Sequence, residues 1–216
     1  MAFKGFLLDK DGTLFDTERL YMNSWKEIAA ERGFVLDMKG LDRMRGKGGD
    51  ALARAAEELL PGLDSQEIMM AVFRRAEEKM KTELRLMPGA RELLVWLKSN
   101  GFKTAVASSA IRRQIEENLQ LCGITGLIDV MVSAQDVSHG KPDPETFQKA
   151  AELLGLRPQE CYAAEDSMNG LISAHTAGCY TFFVPDLNPP TEELKPYYDE
   201  LQPSLSHVME RLKQKI

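Results

Sequence analysis

The chain opens with a short apolar run and then changes to a helical pattern. Phe3 to Leu8 is predicted as a buried strand, because its apolar residues stop abruptly at Asp9. Over residues 17–86 apolar positions recur at helical spacing, without a good strand candidate. Met87-Pro88-Gly89 closes this stretch. The pattern predicts a small all-α domain, residues 17–86, inserted directly after the first strand.

Beyond the insertion, predicted strands and helices alternate. Four further strands are expected, at Lys103–Ala107, Ile128–Val132, Cys161–Ala164 and Tyr180–Val184. Repeated strand–helix units favour a parallel sheet with right-handed crossovers. The predicted fold class is therefore α/β, a doubly wound, Rossmann-like core formed by residues 1–16 and 87–216. Residues 185–203 are rich in proline and are predicted to be irregular.

Composition narrows the class of protein. Among 216 residues, 44% are hydrophobic and 28% are charged, which is typical of a globular protein. The net charge of -6 argues against nonspecific nucleic-acid binding. No apolar run approaches the ~20 residues of a membrane span, and the N-terminus lacks a signal-peptide pattern. We expect a cytoplasmic protein with reduced cysteines and neither a nucleic-acid nor a membrane partner.

Polar residues follow the predicted strands where each one ends. They are Asp9 and Asp11, Ser108 and Ser109, Lys141 in a loop, and Glu165 with Asp166. In a parallel sheet the carboxyl ends of the strands share one edge, where open α/β folds bind ligands. Carboxylates are good ligands for Mg²⁺, and a lysine attracts a dianionic phosphate. The sequence therefore predicts a magnesium and phosphate site at this edge.

Each of these residues also has a purely structural interpretation. An Asp-Gly pair such as Asp11-Gly12 is a common turn signal. Ser109 is predicted to cap the following helix while Ser108 faces the phosphate. Lys141 fits an ordinary solvated loop, and Glu165 and Asp166 favour a helix N-terminus electrostatically. The occurrence of all the motifs in one order favours the site over these separate explanations.

Four motifs in this order resemble the haloacid dehalogenase superfamily, in its branch with a helical cap after the first motif. They are Asp9-Lys10-Asp11-Gly12-Thr13, then Ser108, then Lys141 in Gly-Lys-Pro-Asp-Pro-Glu, then Glu165-Asp166-Ser167. The resemblance implies that Asp9 is the nucleophile and Asp11 the general acid/base. It implies phosphate binding by Ser108, Ser109 and Lys141. It implies Mg²⁺ ligation by Asp9, the backbone carbonyl of Asp11, Asp166 and Glu165, the last directly or through water.

The resemblance also suggests the reaction. A second carboxyl at Asp11 can protonate a leaving oxygen and then activate water, which favours a phosphatase over a dehalogenase. We expect a Mg²⁺-dependent phosphatase of a small phosphorylated metabolite, working through an aspartyl-phosphate as a monomer or weak homodimer. Arg45 and Lys47, which stand among glycines in the predicted cap, are candidates for contact with substrate. The alternative for both is a solvated charged face.

Two other functions remain open at this point. A β-phosphoglucomutase-like phosphomutase shares the whole core pattern. As we align the sequences, mutases carry a histidine where this chain has Tyr21 and an arginine where it has Gly48-Gly49. A receiver-like phospho-signalling module also uses an acceptor aspartate with a lysine. Receivers are shorter, however, and carry the acceptor after a later strand. The phosphatase is therefore the favoured prediction.

Overall fold

The computed structural model describes residues 3–44 and 49–215, and the chain divides into two compact units. One unit contains residues 1–16 with 85–216, and the other contains residues 17–84. The second unit thus ends two residues before the boundary predicted from the sequence. Leu86 forms an antiparallel bridge with Phe15, and the backbone N–H of Asp16 donates to the carbonyl of Arg85 at 3.0 Å. These contacts attach residues 85 and 86 to the first unit.

The first unit is built on a parallel sheet, which for the described residues has six strands in the order β3-β2-β1-β4-β5-β6. The strands are β1 (Gly5–Leu8), β2 (Lys103–Ala107), β3 (Val130–Val132), β4 (Cys161–Glu165), β5 (Tyr180–Phe183) and β6 (Glu200–Leu201). β1 lies in the middle, because it pairs in parallel with both β2 and β4. The predicted α/β fold class, with a doubly wound parallel sheet, is confirmed.

Helices cover both faces of this sheet. They are α5 (Ala90–Ser99), α6 (Arg112–Leu121), α7 (Glu145–Leu153), α8 (Met168–Ala177) and α9 (Leu205–Lys213). On one face, Leu7 of β1 packs in a buried cluster with Phe147 of α7 and Ala174 of α8. On the other face, Phe6 lies against Phe182, with ring centroids 6.3 Å apart. Alternate residues of β1 therefore pack on opposite faces of the sheet, as expected for a strand that is buried on both sides.

The second unit has helices and no strand in its described part. It contains α1 (Glu18–Glu31), α2 (Met38–Met44), α3 (Gly49–Leu59) and α4 (Ser65–Glu83). Buried residues at helical spacing, such as Trp25 and Ile28 of α1, form its interior together with Val72 and Ala76 of α4. α4 begins at a true cap, because the Asp64 carboxylate accepts hydrogen bonds from two backbone N–H groups.

Two local predictions were wrong. Residues 185–203, predicted to be irregular, contain β6 at the edge of the sheet and a 3-10 turn at Glu192–Tyr197. Ser109 does not cap α6, because the N-cap position is Ile111. The first N–H of the helix, that of Arg112, donates instead to the Gln135 side chain at 3.0 Å. Both outcomes depend on neighbours distant in sequence. Across the described residues, no helix is both long and apolar enough to span a membrane.

Candidate active site

The register of the sheet brings the ends of three strands to one edge. Leu8, the last residue of β1, aligns with Val106 of β2 and Ala164 of β4. The backbone N–H of Asp9 continues this ladder by donating to the Ala164 carbonyl at 3.1 Å. One step further along each strand therefore places Asp9 close to the ends of β2 and β4. Ser108, which follows β2, is also held there, because its N–H donates to the Val132 carbonyl at 3.0 Å.

Lys141 lies between two carboxylates at this edge. Its Nζ donates to Asp9 Oδ1 and to Glu165 Oε1, each at 2.6 Å. All three side chains are almost fully buried, with exposures of 4% for Lys141, 11% for Asp9 and 1% for Glu165. The ammonium also sits 4.8 Å from the ring centroid of Phe147, a cation–π distance. These contacts show that Lys141 is a positioned side chain and not a solvated loop residue.

Glu165 uses both carboxylate oxygens within the protein. While Oε1 accepts from Lys141, Oε2 accepts from the backbone N–H groups of Asp166 and Ser167 and from the Ser167 hydroxyl, all at 2.9 Å. The carboxylate thereby occupies the space above Gly170, where a Cβ would lie 1.7 Å from Oε1. Gly170 is therefore required for the conformation of Glu165, which gives a physical reason for a helix-weakening residue in α8.

Asp166 lies against the turn that follows β1. Its Oδ1 accepts a long hydrogen bond from the Thr13 hydroxyl at 3.4 Å. A Cβ on Gly12 would lie 2.5 Å from its Oδ2, and Gly12 has a φ of +79°. Glycine at position 12 thus serves both the turn conformation and the close approach of this carboxylate. The Asp166 backbone carbonyl accepts from the Asn188 side chain at 3.5 Å, which connects the β5 loop to the site.

Asp9, Glu165 and Asp166 each present a carboxylate oxygen within 4.8 Å of the others. Burial raises the pKa of Asp9 to about 7; Lys141 opposes this change, and the charges of Glu165 and Asp11 add to it. Burial alone lowers the pKa of Lys141, but the carboxylates of Asp9 and Glu165 raise it well above its ordinary value. The ammonium therefore stays charged, and its single charge does not fully compensate the carboxylates around it.

The family model of the haloacid dehalogenase-like hydrolases matches residues 6–184, which include Asp9, Ser108, Lys141, Glu165 and Asp166. The chain belongs to this family. The recognition made from the four motifs is thus confirmed, and so is the expected class of enzyme, a phosphoric monoester hydrolase of the haloacid dehalogenase type.

Relatives within the haloacid dehalogenase-like family are named for different activities. Hexitol phosphatase A of Escherichia coli is 33% identical over 187 residues, 85% of this chain and 84% of its own length. β-Phosphoglucomutase of Bacillus subtilis is 29% identical over 185 residues, covering 82% and 81% of the two chains. The crystal structure of the protein CbbY from Rhodobacter sphaeroides in complex with phosphate superposes with a TM-score of 0.79 at 27% identity, over 95% of this chain and 96% of that one.

The remaining predicted haloacid dehalogenase-type residues have different placements. Asp11 lies on the same turn as Gly12, with its side chain 30% exposed. Ser108 is buried, and its hydroxyl accepts from the Ala110 N–H at 3.0 Å, whereas Ser109 is exposed. Arg45 and Lys47 lie outside the described residues. The functional roles assigned to these side chains remain predictions.

Lys10 is a residue that the sequence argument did not single out. It stands between Asp9 and Asp11, is 1% exposed, and its Nζ donates to Asp11 Oδ1. The signal available in the sequence was a lysine directly after the apolar run of β1, between two aspartates. A lysine is seldom fully buried unless it is paired, so its position next to two carboxylates could have identified the ion pair.

Proposed function

We propose that this chain is a Mg²⁺-dependent phosphatase that hydrolyses the phosphate monoester of a small sugar-like or polyol-like metabolite through an aspartyl-phosphate on Asp9. One observation carries the proposal. The Asp9 carboxylate is buried at the end of the central strand, with Oδ1 bonded to Lys141 and with Asp166 within metal-bridging distance. A carboxylate in this setting is a competent phosphoryl acceptor once positive charge accompanies the incoming phosphate.

The donors at the site fit a hard divalent cation. Asp9 and Asp166 offer carboxylate oxygens, and the backbone carbonyl of Asp11 is the further ligand that we propose. Because both oxygens of Glu165 already accept hydrogen bonds, we assign this residue to holding Lys141 and the start of α8. The raised pKa of Asp9 supports the same conclusion, since burial and the charges of Glu165 and Asp11 outweigh the single charge of Lys141. When bound, Mg²⁺ supplies that charge and polarises the phosphoryl oxygens.

The residues then divide the reaction between them. Asp9 attacks phosphorus, forming the Asp9–phosphorus bond as the ester bond to the leaving oxygen breaks. Asp11 gives its proton to that oxygen and afterwards takes a proton from the water that attacks the aspartyl-phosphate. Attack by this water releases inorganic phosphate and regenerates the Asp9 carboxylate. Lys141 and Ser108 hold the phosphoryl oxygens as negative charge redistributes over them.

Two further parts of the proposal concern the substrate. The name of hexitol phosphatase A supports a phosphorylated sugar or polyol as the substrate class of this chain. We also propose that residues 17–84 act as the cap that contacts the leaving group, with Arg45 and Lys47 as its candidate cations. The support for this assignment is the position of the insertion in the chain, immediately after the motif that contains Asp9 and Asp11.

A phosphomutase is the second candidate, favoured by the likeness to β-phosphoglucomutase. Tyr21 and Gly48-Gly49 stand where we align the cationic residues of mutases, so these two positions supply no cation for a second phosphate. Retention of a bisphosphate intermediate requires such cations, whereas hydrolysis does not. We therefore prefer the phosphatase.

A panel of phosphate monoesters tests the proposal. We expect Mg²⁺-dependent release of inorganic phosphate from hexitol and hexose phosphates by the wild-type chain, and none above background from Asp9→Asn. Asp129→Asn is a matched control, because this aspartate lies at the amino-terminal end of β3, away from the carboxyl ends of the strands. There it accepts from the Thr104 N–H at 2.8 Å. It should keep most of the activity.

Three results would contradict the phosphatase. Equal phosphate release by wild type and Asp9→Asn would exclude Asp9 as nucleophile. Reversible conversion of a hexose 1-phosphate to the 6-phosphate would establish the mutase. A phosphoaspartate that persists for many minutes after acetyl phosphate treatment would indicate a signalling module.

A further inference from the structure

A buried serine of α8 holds the end of the loop that carries Lys141. The Ser173 side chain is fully buried, and its hydroxyl donates to the backbone carbonyl of Asp143 at 2.6 Å. The Asp143 N–H in turn donates to the Gly140 carbonyl at 3.1 Å, which closes a four-residue turn. Lys141 is the second residue of that turn. Ser173 thus fixes the last residue of the turn on which Lys141 lies.

The other end of Lys141 is held by the strand and loop that lead into the same helix. Glu165, the last residue of β4, accepts from the Lys141 Nζ at 2.6 Å and from two backbone N–H groups directly before α8. Gly170 leaves the space that this carboxylate occupies. Ser173 lies three residues further along α8, and residues at this spacing are neighbours on one helix face. The segment from Glu165 to Ser173 therefore bonds both the ammonium of Lys141 and the turn that carries it.

A second carboxylate holds the loop on the other side of Lys141. Glu145 of α7 accepts from the backbone N–H groups of Ser138 and His139, at 2.9 and 2.8 Å. These two bonds fix the chain before Lys141, whereas the bond from Ser173 fixes it two residues after. The backbone at Lys141 is therefore held from both directions along the chain.

The hydroxyl of Ser173 does not serve its own helix. Serine is a weaker helix former than alanine, and a serine within a helix commonly bonds a carbonyl of the preceding turn. Ser24 of α1 does this, because its hydroxyl donates to the Leu20 carbonyl at 2.8 Å. Ser173 instead donates to a carbonyl thirty residues away in sequence. Its bond therefore acts on the loop that carries Lys141.

We infer that Ser173 is a positioning residue for Lys141, an inference that rests on the proposed phosphatase function, in which Lys141 holds the phosphoryl oxygens. Lysine carries its charge on a long, flexible side chain, so the place of the ammonium depends on where the backbone is fixed. Without the Ser173 hydroxyl, the turn loses its bond to α8. The ammonium then meets the developing negative charge in a less favourable position, which slows the reaction.

A double-mutant cycle separates this role from a purely structural one. Its four proteins are wild type, Ser173→Ala, Lys141→Met and the double variant, and kcat/KM for p-nitrophenyl phosphate with Mg²⁺ is measured for each. A loss of folded protein lowers kcat/KM by the same factor whether Lys141 is present or absent. A loss of positioning has no effect once the ammonium is gone.

We expect Ser173→Ala to lower kcat/KM about tenfold and Lys141→Met to lower it about 10³-fold. The double variant should match Lys141→Met within about twofold. The same cycle is measured on the Kd of orthovanadate with Mg²⁺ by titration calorimetry, which needs no turnover and therefore includes variants of very low activity. Ser173→Ala should raise this Kd in the presence of Lys141 and leave it unchanged in the Lys141→Met background.

Thr104→Val is the matched control. Thr104 is fully buried near the start of β2, and its hydroxyl donates to the Leu127 carbonyl at 2.7 Å. This bond also joins a buried hydroxyl to a carbonyl distant in sequence, but it lies away from the carboxyl ends of the strands. Thr104→Val should therefore keep the wild-type kcat/KM. A loss equal to that of Ser173→Ala would overturn the inference, since the effect would then not be specific to the loop of Lys141.

Two further results would leave Ser173 with a structural role alone: unchanged kcat/KM in Ser173→Ala, or losses that multiply in the double variant. If Ser173→Ala does not yield folded protein, Ser173→Cys replaces it, because a thiol is a weak donor. The expected direction and the contradicting outcomes stay the same. Failure of the phosphatase proposal is distinguishable, because the wild-type chain would then release no phosphate in a manner that depends on Asp9.

Discussion

Two charged clusters in the α/β unit contain similar side chains but shift the pKa of a carboxylate in opposite directions. The first, here named the rim cluster, consists of Asp9, Lys141 and Glu165 at the carboxyl ends of the strands. The second, the edge cluster, consists of Glu200 on β6 with Tyr180, Arg211 and Lys215. Glu200 accepts from Tyr180 at 2.6 Å, from Lys215 at 2.7 Å and from Arg211 at 2.8 Å. Both clusters are well bonded, yet they differ in their balance of charge.

The pKa values reflect how deeply each carboxylate is buried as well as that balance of charge. In the edge cluster burial raises the pKa of Glu200, but hydrogen bonds from Arg211, Lys215 and Tyr180 outweigh it and lower the pKa to about 2. In the rim cluster the single ammonium of Lys141 does not overcome burial, and the pKa of Asp9 rises to about 7. One carboxylate shares two cations at the edge, whereas two share one cation at the rim. We therefore expect the edge cluster to stabilise the fold, and the rim cluster to hold a charge deficit that the proposed substrate and metal ion would use.

The largest expected effect is that of Asp9→Asn, which should separate activity from stability. We expect kcat/KM for a hexitol phosphate to fall at least ~10³-fold, since the nucleophile is lost. In metal-free buffer at pH 8 the free energy of unfolding should rise by on the order of 4 kcal/mol, the linkage value for a pKa raised from 3.8 to about 7. A folded-state pKa above the unfolded value makes ionised Asp9 destabilising, and this cost grows as pH rises from about 4 to about 7.

Activity assays and urea unfolding at pH 5 and pH 8 check both parts. The stabilisation by Asp9→Asn should be smaller at pH 5, where Asp9 is largely protonated in the folded chain. A variant that is less stable than wild type at pH 8 would contradict a charge deficit in the rim cluster.

A smaller loss of activity is expected from Gly170→Ala. Its Cβ would lie 1.7 Å from Glu165 Oε1, so Glu165 must move and release Lys141. We expect kcat/KM to fall about 100-fold, as for removal of one positioned electrostatic group. Gly126→Ala is the control, because its Cβ meets nothing within 4 Å and should leave kcat/KM unchanged. Equal activities of the two variants would show that the Glu165–Lys141 contact does not matter for catalysis.

The edge cluster should respond to Glu200→Gln with a change in stability alone. We expect a loss of about 2 kcal/mol in the free energy of unfolding at pH 7, with kcat/KM retained. Because the folded-state pKa is depressed, this contribution is complete above the unfolded pKa and is lost as pH falls from about 4.5 towards 2. Denaturant unfolding at pH 7 and pH 3 should show the gap between the two proteins closing.

Glu192→Gln provides a comparison for that measurement. Glu192 pairs with Lys195 at 2.7 Å, but its side chain is 87% exposed. An exposed pair contributes little, so this variant should match wild type within about 0.5 kcal/mol. An effect of Glu200→Gln no larger than this would remove the contrast between the two clusters.

The smallest expected effect is stabilisation by Mg²⁺. At a concentration about ten times its Kd, Mg²⁺ should stabilise the wild-type chain by about 1.4 kcal/mol, which corresponds to a rise in Tm of a few degrees. Asp166→Asn should abolish the rise, whereas Glu200→Gln should keep it. A rise that persists in Asp166→Asn, or that NaCl of the same ionic strength reproduces, would count against a specific cation at the rim.

Sequence patterns predicted the scaffold better than the local bonding. Lys103–Ala107 was predicted with its correct bounds, because a buried parallel strand leaves an apolar run, here Ala105 to Ala107. The same topology explains how Asp9, Lys141 and Glu165, distant in sequence, lie in contact. β6 escaped prediction, since two residues within a proline-rich segment have no periodicity.

The hydrogen-bond partners of side chains at the site depend on neighbours that the sequence does not reveal. The capping role expected of Ser109 is taken by the side chain of Gln135, from a loop more than twenty residues away. The acid pair Glu165-Asp166 showed no sign that the first carboxylate bonds Lys141 and the α8 backbone while the second approaches Gly12. The pairing of Lys10 with Asp11 likewise follows from the burial of Lys10, which the sequence does not show.

The points where the chain leaves and re-enters the sheet domain lie side by side. The backbone bonds between Asp16 and Arg85 and between Leu14 and Met87, at 3.0 and 2.9 Å, join the two crossings into a short antiparallel ribbon. A segment whose two ends already coincide requires little further loop closure. Grafting a relative's insertion at this ribbon should therefore leave the closure of the sheet domain intact, and such chimaeras would test the proposed role of residues 17–84 in substrate preference.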